Sequence, residues 1–63
     1  MEKVLINETF RDELRRLNNG SGEDYINIYK VDGNKVYFKY GDRCRFHITK
    51  AELQQCKKET ELS

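Results

Sequence analysis

No apolar run in this 63-residue chain exceeds three residues, and Val4-Leu5-Ile6 is one of them. A membrane span needs about 20 apolar residues in succession, and a signal-peptide core roughly 7–15. The expectation is a soluble, cytoplasmic protein with no membrane partner. Cysteine is scarce as well. Cys44 and Cys56, without a secretion signal, do not make a disulfide framework. They read as small buried apolar residues that could approach each other where the last helix packs on the sheet, with a disulfide open to them under oxidation but not needed. The single histidine, His47, lies three residues after Cys44. On a regular strand that odd spacing sets the two on opposite faces, which separates a nucleophile from its base. Cys44, His47 and Cys56 also lack a C-x-x-C or H-x-x-x-H clamp and a fourth ligand, so no metal is expected.

Carboxylates for acid–base chemistry are equally short of context. Glu23, Asp24, Asp32 and Asp42 fall in turns or connectors, where such residues are ordinary. No apolar pocket is in view to push their pKa values apart. Gly20-Ser21-Gly22 follows a helical pattern and precedes a strand, the reverse of the order phosphate loops use, and lacks their Lys-Ser/Thr ending. The reading is a protein that is not an enzyme and takes no cofactor.

The stretch Tyr25–Ile48 supplies what is present. Asp32-Gly33-Asn34 and Gly41-Asp42 punctuate three runs rich in Val, Ile, Tyr and Phe. Gly and Asn tolerate the positive φ that hairpin turns need. Strands are predicted over 25–31, 35–40 and 43–48. Alternation puts Ile26, Ile28, Val36, Phe38, Cys44, Phe46 and Ile48 on one face. A three-residue Asp32-Gly33-Asn34 loop pairs Val31 with Lys35 and aligns Ile28 with Phe38. A two-residue Asp-Gly loop would set Tyr29 beside Val36 instead, and a one-residue slip exchanges faces. The longer loop is preferred because it unites the apolar set. It leaves Lys30 on the apolar side, obliged to reach out to water, and Val31 on the other.

Helices are predicted on both sides. Asn7 is a good N-cap for a helix over 8–18, with Phe10, Leu14 and Leu17 on one stripe and Gly20 as the stop. Glu8 and Arg15-Arg16 complement its dipole, and Asp12 is placed to pair with Arg16. Thr49-Lys50-Ala51-Glu52 is a capping box opening a helix over 50–58, flanked by Ile48 and Leu53. Leu53 and Cys56 face inward. Val4–Ile6 reads either as a short extra strand or as lead-in to the first helix. The fold expected is α+β, in α-β-β-β-α order: a three-stranded antiparallel meander covered on one face by both helices. Residues 1–58 form one small domain, and 59–63 a frayed polar tail.

Net charge is only +1, but residues 25–50 carry six Lys/Arg against two Asp while both flanks are acidic. The outward sheet face is then basic with aromatics interleaved: Tyr29, Lys35, Tyr37, Lys39, Arg43, Arg45 and His47. Two functions fit. The first is a non-enzymatic protein-binding or self-associating module. It would use the sheet surface or edge, with Tyr25, Tyr29, Tyr37 and Tyr40 as aromatic surface and an acidic protein or a second copy as partner. A homo-oligomer would also enlarge a small core. The second is nucleic-acid contact, cations on phosphates and Tyr against bases, without an RNP motif or Gly-x-x-Gly clamp.

Overall fold

The computed structural model describes residues 2–42 and 44–58. Four antiparallel strands form one sheet in sequence order: β1 (Glu2–Leu5), β2 (Tyr25–Asp32), β3 (Lys35–Tyr40) and β4 (Cys44–Thr49). Two helices, α1 (Glu8–Leu17) and α2 (Lys50–Cys56), lie on one side of it. The predicted meander is thus β2-β3-β4. The apolar lead-in resolves as a fourth strand that begins earlier than Val4 and pairs with β2, Lys3 against Asn27 and Leu5 against Tyr25.

The hairpin between β2 and β3 corrects the predicted register. Asp32 pairs with Lys35, so the loop is the two residues Gly33-Asn34 rather than three. Gly33 takes φ +61°, the glycine-first arrangement of a type II′ turn. From there Val31 pairs with Val36 and Lys30 with Tyr37, yet Ile28 still pairs with Phe38. Tyr29 is the extra residue of a β-bulge that absorbs the one-residue difference. Partners directly opposite share a face. The bulge therefore moves Lys30 to the outer face and Val31 to the inner side, opposite to the sequence reading, and keeps Ile26 and Ile28 inside. Val31, at the hairpin end, remains 55% exposed.

Ile6, Leu14, Ile26, Ile28, Val36, Phe38 and Tyr40 form the buried core, with Val4, Phe10, Cys44, Phe46, Ile48 and Leu53 packed around it. The Phe10 ring of α1 meets Phe38 edge-on at 6.0 Å. Tyr40 is wholly buried, so it belongs to the core and not to the aromatic surface. Its hydroxyl donates to the Glu23 carbonyl at 2.6 Å, which satisfies the one polar atom the ring takes inside. Gly22 passes so close to this ring that a Cβ there would collide with it. The Gly-Ser-Gly connector is accordingly a fitted segment, with Arg15 Nε donating to the Gly22 carbonyl.

Both helix starts follow the predicted chemistry. Asn7 Oδ1 accepts from the Phe10 N–H at 2.9 Å. Thr49 Oγ1 accepts from the Glu52 N–H, and Glu52 Oε1 accepts in return from the Thr49 N–H, both at 3.1 Å. The α1 surface differs in two details. Asp12 pairs with its neighbour Arg11 at 3.1 Å rather than with Arg16, and Leu17 lies 66% exposed. After α2 the chain crosses to β1: Lys57 bridges to Ile6, and the Lys58 N–H donates to the Leu5 carbonyl at 3.0 Å.

The cysteines do not approach one another. Cys44 Sγ donates to Asn18 Oδ1 at the C-terminal end of α1, whereas the Cys56 carbonyl accepts from the Asn7 N–H at the other end. The length of α1 between them is about 15 Å, beyond disulfide reach. Both thiols are free. Residues 59–63, expected as a frayed tail, lie outside the described residues.

Candidate functional site

The sheet face turned away from the helices is the part of the molecule with a chemical character of its own. Strand alternation places Lys3 and Leu5 of β1, Tyr25, Asn27, Tyr29 and Lys30 of β2, Lys35, Tyr37 and Lys39 of β3, and Arg45 and His47 of β4 on it. Of the residues expected at the site, Tyr29, Lys35, Tyr37, Lys39, Arg45 and His47 share this face. Arg43 lies outside the described residues. Sequence reasoning missed Lys30, which the bulge delivers, and Lys3, which depends on β1 being a strand. No group of three or more His, Cys, Asp or Glu side chains that could hold a metal ion occurs among the described residues.

The cross-strand register sorts the face into rows. Lys30 and the bulged Tyr29 stand beside Tyr37, which is opposite His47. Ring centroids are 6.5 Å apart for Tyr29 and Tyr37 and 5.5 Å for Tyr37 and His47, so the three rings make a band across three strands. The next row along the strands is Lys3, Asn27, Lys39 and Arg45, spanning all four strands. Its distance from the aromatic row is about 7 Å, two residues of strand rise.

Cations and rings are interleaved at contact range. Lys3 Nζ lies 4.2 Å from the Tyr25 centroid, Lys30 Nζ 5.4 Å from that of Tyr37, and the Arg45 guanidinium 5.9 Å from that of Tyr29. Such contacts at exposed positions are worth about 0.5–1 kcal/mol each, so they are readily exchanged for an anion. Among the described residues the sole ion pair is Arg11–Asp12 on α1, well away from this face. Lys39 and Arg45 are directly opposed like charges, an arrangement that costs stability in a sheet.

The rim of the face has the opposite sign at one end. Side-chain hydrogen bonding toward Glu23, then loss of solvent, then the charges of Glu23, Asp24 and Asp42 hold the Tyr25 phenol above its ordinary value. Asp32, paired with Lys35, marks the hairpin end. A depression of about 220 Å³ lies elsewhere, between Ile6, Asn7, Glu8, Arg11, Asp24 and Lys58. Its wall carries both signs of charge and so favours neither. Cys44 faces the core side and His47 the outer face, so their side chains are separated by the sheet itself.

Comparison of the chain with protein-family models, with curated proteins and with solved structures found no match in any of the three. No described helix is long and apolar enough to cross a membrane.

Proposed function

We propose that this protein is a cytoplasmic, non-enzymatic binding module whose contact surface is the outer sheet face and whose partner carries negative charge there. The observation that carries the reading is the Lys3–Asn27–Lys39–Arg45 row, with Lys39 set opposite Arg45. A surface shaped for solubility alone intersperses both signs, whereas this row gathers one sign and accepts the repulsion. The two free thiols suit a reducing compartment. Heparin serves as a sequence-free polyanion to test the reading. The wild-type chain is expected to be retained on a heparin column at low salt and released as salt rises, and Lys39→Glu with Arg45→Glu to pass unretained. A wild-type chain that flows through at low salt removes the reading.

Self-association is the second reading, and one observation directs it to an edge. Two copies meeting face to face would oppose cation row to cation row. The outer edge of β4, by contrast, has no strand beside it among the described residues, and β4 is six residues long without proline. Sedimentation equilibrium at high micromolar concentration is expected to show a dimer by this route. A strict monomer there excludes it.

A further inference from the structure

Resting on the outer face as contact surface, we infer that its occupant is a single-stranded nucleic acid, laid across the strands with bases on the Tyr29–Tyr37–His47 band and phosphates along the Lys3–Lys39–Arg45 row. Three observations converge on that ligand. The aromatic band and the cation row run parallel, both perpendicular to the strands, and are one repeat of the strand pleat apart. A single strand has the same two-track build, flat bases on one side and a charged backbone on the other. An acidic protein segment would use the cations but has no set of flat groups for three rings in line.

The rings are accessible to a base for a definite reason. Tyr29 is 41% exposed at the crest of the bulge, and the side chains resting on Tyr29 and Tyr37 are the Arg45 and Lys30 cations. When these cations turn to phosphates, the ring faces they cover are released to bases. Charge and stacking are thereby coupled: the backbone draws away the groups that shield the rings. A duplex offers phosphates without free base faces and would meet the cations alone.

The acidic residues limit the track. Glu23, Asp24 and Asp42 lie around Tyr25, and Asp32 closes the hairpin end. A backbone lying along the strands would run into the acidic end at Tyr25, whereas one lying across them stays clear of it, which sets the direction of the strand on the face.

The test uses the full chain with a fluorescein-labelled oligothymidylate of about 12 nucleotides, a duplex of the same length, and polyglutamate of matching charge, all read by anisotropy. The single strand is expected to bind about tenfold more tightly than either competitor, with quenching of tyrosine emission. Tyr29→Leu and Tyr37→Leu are each expected to weaken the single strand about tenfold, in line with the loss of one stacked base, and to leave the salt dependence alone. Lys39→Gln with Arg45→Gln is expected to lower the slope of log K against log salt by about 1.4, two phosphates' worth for a single strand. Tyr29 lies on the surface, so its variant keeps the test valid even where Tyr37→Leu disturbs the fold. Equal binding of duplex or polyglutamate, or no effect of Tyr29→Leu in a folded chain, overturns the single-strand inference and leaves the acidic-partner reading standing. Failure of all three polyanions to bind overturns both.

Discussion

At the scale of single residues, Gly22 and Tyr40 matter more than their places in the sequence suggest. Gly22 has φ +144°, a conformation L side chains rarely adopt, and the Tyr40 ring occupies the space where its Cβ would stand. Gly22→Ala is expected to destabilise the fold by about 2 kcal/mol or more, combining overpacking and backbone strain, as read from the midpoint of urea unfolding. A change under a few tenths of a kcal/mol would mean the ring yields freely. Cys56 gives a prediction of another kind. Loss of solvent, then the charges of Glu52 and Glu13, raises its thiol above the ordinary value. The folded chain therefore holds that proton more tightly than the unfolded chain. The associated stability is fully present below the unfolded pKa of about 8.5 and is lost as pH rises through the folded value. In a Cys44→Ala background, the pH profile of iodoacetamide alkylation should be displaced upward in the folded protein relative to the urea-unfolded one. Coincident profiles would contradict the assignment. Neither residue's role could be read from the chain: a glycine in a polar connector carries no sign of the ring it will meet.

At the scale of elements, the legible parts are those governed by neighbours in sequence. Asn7 and the Thr49–Glu52 box act within one helical turn, and the structure shows them as their residue types imply. Alternation likewise placed Ile28, Phe38 and Phe46 inside. Register was legible at Ile28 and Phe38 but not from there to the hairpin, because a bulge obeys pairing partners and not local pattern. The alternating rule alone sent Lys30 inward, and only the strand opposite brings it out to Tyr37. β1 was legible only as one of two readings, since Val4 and Leu5 join a strand only when β2 offers an edge. The bulge yields its own test. Removing Tyr29 should leave Ile28 against Phe38 and Lys30 against Tyr37, now in a regular ladder. The shortened chain is expected to fold with its amide spectrum largely retained, whereas removal of Asn27 should turn Ile26 outward and unfold the domain. Equal damage from both deletions would refute the idea that Tyr29 is the supernumerary residue.

At the scale of the whole molecule, the described chain is a slab of 32 × 31 × 18 Å, helices on one side and an uncovered sheet on the other. A core this small leaves little stability in reserve, so each contact that closes the sheet counts. The segment after α2 is one of these. Cutting the chain after Cys56 removes the Lys57 bridge to Ile6 and the Lys58 hydrogen bond to Leu5. Loss of one or two such bonds is expected to cost about 1–2 kcal/mol. The change should appear as faster hydrogen exchange in β1, with β3 little altered. Uniform acceleration across every strand would show that β1 does not open separately. The candidate site shares this dependence, because Lys3 reaches the face only while β1 is paired.

That same meeting of Leu5 with Lys58 brings the described backbone, residues 2–58, nearly back upon itself. The path from Lys58 back to Glu2 runs beside β1 and is only about 10 Å long at strand rise. A linker of a few residues could join those points, and the chain could be reopened at Gly33-Asn34, where the turn is exposed. In such a permuted protein the sheet neighbours and both faces would be unchanged while every connection in time of synthesis was reordered. The order of strands in space, on this view, does not depend on which of them is made first.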